Sequence, residues 1–279
     1  MLTDPLVTVD WLASHLEDVR VIDGTWSMPN ETGDLPNGYI KGAVVFDIDA
    51  IADPDSDMAH MLPSAEIFAR SVGQMGITLD DTIVIYDRHG VFSAPRVWWT
   101  FRMFGHKIVY VLDGGLPAWR DAGHDIAAQP ASYAKSFYKV CPARAKVADI
   151  DEVLSAASKD IQIIDARPPG RFKGTSAEPR AGLRSGHMPG AINIPFGTLR
   201  TPQSRFKPLS DIAQIMQKID LTAPVITTCG SGLTAAGLAF TLARLGASDV
   251  SVYDGSWTEY GGREDVPITP DVPMTLDVQ

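Results

Sequence analysis

The chain repeats itself, and that repeat constrains its fold more than any other feature. Residues 83–119, IVIYDRHGVFSAPRVWWTFRMFGHKIVYVLDGGLPAW, match residues 225–260, VITTCGSGLTAAGLAFTLARLGASDVSVYDGSWTEY. Each copy gives a short apolar strand, a glycine-containing loop, a helix closing in glycine, a second strand and then Asp-Gly. Asp87 falls opposite Cys229, 142 positions earlier. Upstream, VRVIDGTW (19–26) matches IQIIDARP (161–168), with Asp23 and Asp165 at the same spacing of 142. GYIKGAVVFDI (38–48) matches GHMPGAINIPF (186–196) at a spacing of 148. Three matched blocks in the same order predict two homologous domains, 1–128 and 146–279. The join, 129–145, carries Tyr133, Phe137 and Tyr138 and reads as an ordered crossover rather than a flexible linker.

Short Val/Ile runs alternate with helical stretches in both halves. The pattern predicts an α/β fold: two tandem domains, each a mostly parallel sheet flanked by helices. Helices are expected over 64–76, 93–105, 149–158, 210–218 and 233–246. Trp98 and Trp99, at helical spacing with Phe101 and Phe104, are assigned to the core, and His187 to a structural turn. In open parallel sheets ligands collect at the carboxyl ends of the strands, which is where Cys229 stands.

The 279 residues suffice for two ordinary domains, and 45% hydrophobic with 21% charged residues is a globular profile. A net charge of −10 argues against nucleic-acid or anionic-membrane partners, which call for basic clusters. No run of about 18 apolar residues predicts a membrane span, and the first residues lack the basic start and apolar core of a secretory leader. With only Cys141 and Cys229 in the chain, free thiols and a cytoplasmic location are expected. Neither a metal-spaced Cys/His cluster nor a Gly-Lys phosphate loop occurs, so no metal or organic cofactor is expected. The tail PITPDVPMTLDVQ is expected to lie over the surface.

Cys229 ends a strand and precedes a helix. Unpaired N–H groups at a helix start, with about half an elementary positive charge from the dipole, favour an anion there, whether phosphate, thiolate or persulfide. Gly230 and Gly232 permit the tight curl that aims N–H groups inward, and Ser231 and Thr234 add hydroxyls. A cysteine before a glycine-rich turn can also be buried and inert; the strand–loop–helix setting favours the nucleophile. Cysteine phosphatases need an arginine after five intervening residues to grip phosphate. That position is Ala235, and none of the residues from Gly230 to Ala235 is basic, so phosphate ester hydrolysis is disfavoured. Sulfur transfer through a cysteine persulfide is the other chemistry such a loop serves.

The segments CGSGLTA (229–235), DARPPGRFKGT (165–175), GHMPGAINIPF (186–196), YDGSW (253–257), SAPRVWW (93–99) and HMLP (60–63) give the chain its resemblance, over nearly its whole length, to the two-domain rhodanese-like sulfurtransferases. The branch it resembles most uses 3-mercaptopyruvate. Thiosulfate-preferring relatives carry basic residues in the loop, and this loop is neutral. The resemblance implies that Cys229 is the persulfide-forming nucleophile and that Gly230, Ser231, Gly232, Leu233 and Thr234 form the persulfide cradle. It implies that Arg171 and Arg180 bind the donor's carboxylate and keto oxygen, as guanidinium forks can. It also implies a relay of Ser231, His60 and Asp49, the last two from the first domain, with a site where the domains meet. His60 and Asp49 read without the family are a loop histidine and a turn residue.

The acceptor implied is a thiol such as thioredoxin, or cyanide. Asp87 cannot form a persulfide, so the first copy is expected to be silent. Two other readings stay open: a thiosulfate:cyanide sulfurtransferase, and a non-catalytic rhodanese-like carrier or binding module.

Overall fold

A computed structural model describes residues 2–28 and 35–269. The tail from 270 onward lies outside the described residues. The chain forms two compact units: 1–146 together with Arg200–Ile212, and Val147–Leu199 together with 213–279.

The first unit contains β1 (Leu6–Val7), α1 (Val9–His15), β2 (Arg20–Asp23), β3 (Tyr39–Ile40), β4 (Val44–Val45), α2 (Ala65–Gln74), β5 (Ile83–Tyr86), α3 (Ala94–Met103), β6 (Val109–Leu112), α4 (Gly115–Asp121) and β7 (Ile126–Ala127). Its main sheet has the order β1-β6-β5-β2-β4, with every pair parallel. β5 and β6 are buried along their whole length. A central strand covered on both faces needs continuous apolar residues, and IVIY and VYVL supply them. One face packs on Leu12, Leu116 and Trp119. The aromatic side chains of Phe46, Phe68, Phe101 and Phe104 form a second cluster, with the rings of Phe68 and Phe104 stacked 4.1 Å apart. Trp98 and Trp99 are buried.

The stretch 129–145 runs along this unit without regular elements. Ser136 N–H donates to the Gly73 carbonyl at 2.8 Å, and buried Tyr138 meets His106 Nδ1 at 3.0 Å. Arg200–Ile212 also belongs here: Arg200 Nη1 donates to the Val91 carbonyl at 3.0 Å and Phe206 N–H to Asp113 Oδ1 at 2.9 Å.

The second half continues with β8 (Lys146–Ala148), α5 (Ile150–Ser155), β9 (Gln162–Asp165), α6 (Pro169–Lys173), β10 (Ile192–Asn193), α7 (Leu209–Ile215), β11 (Val225–Thr228), α8 (Leu233–Arg244), β12 (Val250–Tyr253) and α9 (Ser256–Tyr260). The sheet order β10-β9-β11-β12-β8 repeats that of the first sheet, strand for strand. β9, β11, β12 and β10 pair in parallel. In both sheets the register ends alike. Asp23 pairs with Tyr86 just before Asp87, and Asp165 pairs with Thr228 just before Cys229. Nine of the twelve residues of α8 are buried, so this helix is anchored deep in its unit and holds the loop before it still. His187 is structural: its ring stacks on Phe172 at 3.9 Å and Nδ1 meets the Phe172 carbonyl at 3.0 Å. Among the described residues no helix is long and apolar enough to cross a membrane.

Candidate active site

Cys229 follows the last residue of β11 and is 3% exposed. Gly232 caps α8 at φ +79°, a conformation that a side chain would strain, and the helix starts at Leu233. The loop between them is held from one side by three consecutive residues. Trp257 N–H donates to the Cys229 carbonyl at 3.0 Å, and Thr258 gives the Gly230 carbonyl its N–H at 2.9 Å and its hydroxyl at 2.7 Å. Ser256 Oγ accepts from the N–H of Cys229 at 3.2 Å and of Gly232 at 3.0 Å, and donates to the Tyr253 carbonyl at 2.8 Å. The Gly232 N–H is thus engaged by Ser256 Oγ. The N–H groups of Gly230, Ser231, Leu233 and Thr234 take no acceptor among the described residues. With the α8 dipole behind them, they make an anion-favouring rim in the loop that carries Cys229. Ser231 is buried, and its hydroxyl has no partner among the described residues.

Arg171, on α6, reaches this loop. A Cβ placed on Gly230 would stand 2.8 Å from Arg171 Nη2, so the guanidinium lies directly against the Gly230 backbone. Glu178 Oε2 accepts from Arg171 Nε at 2.9 Å and from Nη2. Glu178 Oε1 accepts from Arg167 Nη1 at 2.8 Å. Arg167 in turn clamps Asp165 through Nε at 2.9 Å and Nη2 at 2.7 Å, and its guanidinium lies 3.9 Å over the Trp257 ring. Arg180 is half-buried and makes no hydrogen bond or ion pair with a described residue. Burial, reinforced by Glu259, pushes the nearby Tyr253 phenol far above its usual value, so it stays neutral beneath the loop.

In the first unit, His60 Nδ1 lies 2.8 Å from Asp49 Oδ1. The other Asp49 oxygen accepts from Trp26 Nε1–H at 2.9 Å, and the Trp26 ring meets the imidazole edge-on at 4.7 Å. The carboxylate favours the tautomer with hydrogen on Nδ1, making Nε2 the ring nitrogen that carries the lone pair. His60 is buried at φ +68°, rare for a residue with a side chain, and its carbonyl accepts from buried Arg96. Backbone held in such a conformation by its surroundings is a hallmark of functional positions.

The first unit's own loop is built otherwise. Asp87 Oδ2 accepts from the N–H groups of Phe92 at 2.7 Å, Ser93 at 2.9 Å and Ala94 at 2.9 Å, and Oδ1 from His89 N–H at 3.0 Å. A carboxylate of the chain already fills the helix start. Of the expected site residues, the structure brings Cys229, Ser231 and Arg171 together in one unit and pairs His60 with Asp49 in the other. Glu178, Arg167, Ser256, Thr258 and Trp26 were not singled out from the sequence.

Comparison with known proteins places the class. The Rhodanese-like domain family matches residues 8–122 and again 149–262, and the chain belongs to that family as two tandem copies. Within it the chain is a sulfur-transferring enzyme of the 3-mercaptopyruvate/thiosulfate sulfurtransferase family. It is 37% identical to the 3-mercaptopyruvate sulfurtransferase of Escherichia coli strain K12, over 97% of this chain and 99% of that one. It is 40% identical to thiosulfate/3-mercaptopyruvate sulfurtransferase 1, mitochondrial, of Arabidopsis thaliana, over 95% of this chain and 78% of that one. The crystal structure of SseA from Escherichia coli, described among the 3-mercaptopyruvate sulfotransferases, superposes with a TM-score of 0.81 at 35% identity, covering 91% of this chain and 99% of that one.

Proposed function

We propose that this enzyme takes sulfur from 3-mercaptopyruvate. The observation that carries the reading is a neutral cysteine loop with one guanidinium, that of Arg171, set against Gly230. Arg171 and Arg180 bind the donor's carboxylate and keto oxygen. The Cys229 thiolate attacks the donor sulfur, an S–S bond forms, and the C–S bond breaks. Pyruvate departs as its enolate and gains on carbon the proton that the donor thiol carried. The product is a Cys229 persulfide anion, held by the N–H groups of Gly230, Ser231, Leu233 and Thr234. His60, oriented by Asp49, and Ser231 are the groups proposed to carry the proton. The outer sulfur then passes to an acceptor: with cyanide, thiocyanate forms and the thiolate returns; with a thiol such as thioredoxin, the sulfur moves onto that thiol.

In the first domain Asp87, which cannot form a persulfide, stands at the position of Cys229, and that copy is proposed to be silent. The cytoplasm is the proposed location, in keeping with two free cysteines, and the net charge of −10 speaks against nucleic-acid or membrane partners. The test is kcat/KM for the two donors. Mercaptopyruvate is expected to exceed thiosulfate by about tenfold or more, the ratio that 1.4 kcal/mol of differential transition-state binding gives. A tenfold preference for thiosulfate contradicts the reading.

A further inference from the structure

Arg171 reaches the cysteine loop with only part of its guanidinium to offer. The edge made by Nε and Nη2 is spent on Glu178, whose side chain is 1% exposed, while Arg171 itself is 20% exposed. The Nη1 group has no partner among the described residues. The edge made by Nη1 and Nη2 is thus the one open to a ligand. Glu178 cannot turn away, because Arg167 holds its other oxygen and Arg167 is itself locked by Asp165, the Gly186 carbonyl and the Trp257 ring. A carboxylate gripped from both sides fixes the direction in which Arg171 faces.

The same four groups settle the charge. Asp165 and Glu178 offset Arg167 and Arg171, so the buried cluster sums to zero. Arg180, the other arginine that the resemblance assigns to the donor, has no ion-pair partner among the described residues. Buried surroundings screen poorly, so one unmatched charge matters there.

We propose that Glu178 is a positioning and donor-selecting residue: it presents the Nη1/Nη2 edge of Arg171 to the donor carboxylate, and by cancelling the charge of Arg171 it restricts the site to singly charged donors. The proposal rests on the keto-acid reading above. It assigns to a buried anion, as well as to the neutral loop, the disfavouring of a doubly charged donor such as thiosulfate.

The test begins with the wild-type enzyme and non-reacting acids. Pyruvate, a monoanion, is expected to compete with the donor about tenfold more tightly than oxalate, a dianion of similar size. Oxalate binding as tightly as pyruvate or more so overturns the proposal. This arm needs no variant, so it stands even if the substitutions fail to fold. Glu178→Gln keeps the size and one acceptor oxygen but removes the charge. Its ratio of kcat/KM for thiosulfate over mercaptopyruvate is expected to rise about tenfold. Glu178→Asp keeps the charge but shortens the reach; its ratio is expected within about twofold of wild type while KM rises for both donors. An unchanged ratio in a Glu178→Gln protein that still melts cooperatively overturns the proposal, because a merely structural role would lower both donors together. A wild-type enzyme that prefers thiosulfate outright overturns the donor reading first. An unchanged ratio against a mercaptopyruvate-preferring wild type overturns the role of Glu178 alone.

Discussion

In the first unit, three N–H groups at the start of α3 and that of His89 in the loop before it close on the Asp87 carboxylate; in the second, four N–H groups around Cys229 take no acceptor among the described residues. The two loops follow equivalent strands in identical register, and the backbone bond from the next Asp-Gly segment recurs in each: Leu116 N–H to the Asp87 carbonyl, Trp257 N–H to the Cys229 carbonyl, both 3.0 Å. A helix start that already owns an anion has its N–H groups satisfied, whereas one that lacks it leaves them open to a bound anion. A second difference lies one residue earlier. Gly115 and Ser256 occupy matching positions at φ +53° and +49°. The copy that carries Asp87 uses the residue that suits this conformation. The copy that carries Cys229 tolerates strain there and gains a hydroxyl that accepts the N–H groups of Cys229 and Gly232.

The comparison can be broken most drastically at Cys229. Cys229→Asp gives the second loop the first loop's anion, and pyruvate release from mercaptopyruvate is expected to fall at least about a thousandfold. His60→Gln removes the proposed proton carrier and is expected to lower kcat for mercaptopyruvate about tenfold; a kcat within twofold of wild type removes the relay from the mechanism. Ser256→Gly restores the first unit's backbone and deletes the hydroxyl. Turnover is expected to drop about fivefold while the thermal midpoint moves by only a few degrees, since relief of strain offsets the lost hydrogen bonds. A large loss of stability without loss of turnover would make Ser256 structural only. The smallest effect on catalysis is expected from Asp87→Cys. Leaving the Phe92, Ser93 and Ala94 N–H groups without their carboxylate is expected to destabilise the protein by about 1–3 kcal/mol in chemical denaturation, with no second persulfide.

Much of this was legible along the chain, because two periodic signals survive in one sequence. The apolar strands IVIY, IQII and VITT read as buried sheet, and Cys229 read as standing between a strand and a helix, which is where the structure has it. What escaped has a common cause. Glu178 looks like any acidic residue in a polar loop; its meaning comes from Arg167 and Arg171 folding back onto it. Ser256 sits in a segment that reads as a turn, and its positive φ, like that of His60, leaves no trace in composition. The packing of Arg200–Ile212 on the first unit was equally hidden, since an apolar residue such as Phe206 does not declare which core it enters.

The central claim is that the chain has one reactive sulfur, Cys229, and that the first copy is silent. Intact-mass measurement after incubation with 3-mercaptopyruvate and removal of excess donor tests it most directly. A single adduct of about 32 Da, one sulfur atom, is expected on the wild type, lost on addition of cyanide and absent from Cys229→Ser, in which Cys141 remains. An adduct that persists in Cys229→Ser, or none on the wild type, contradicts the account.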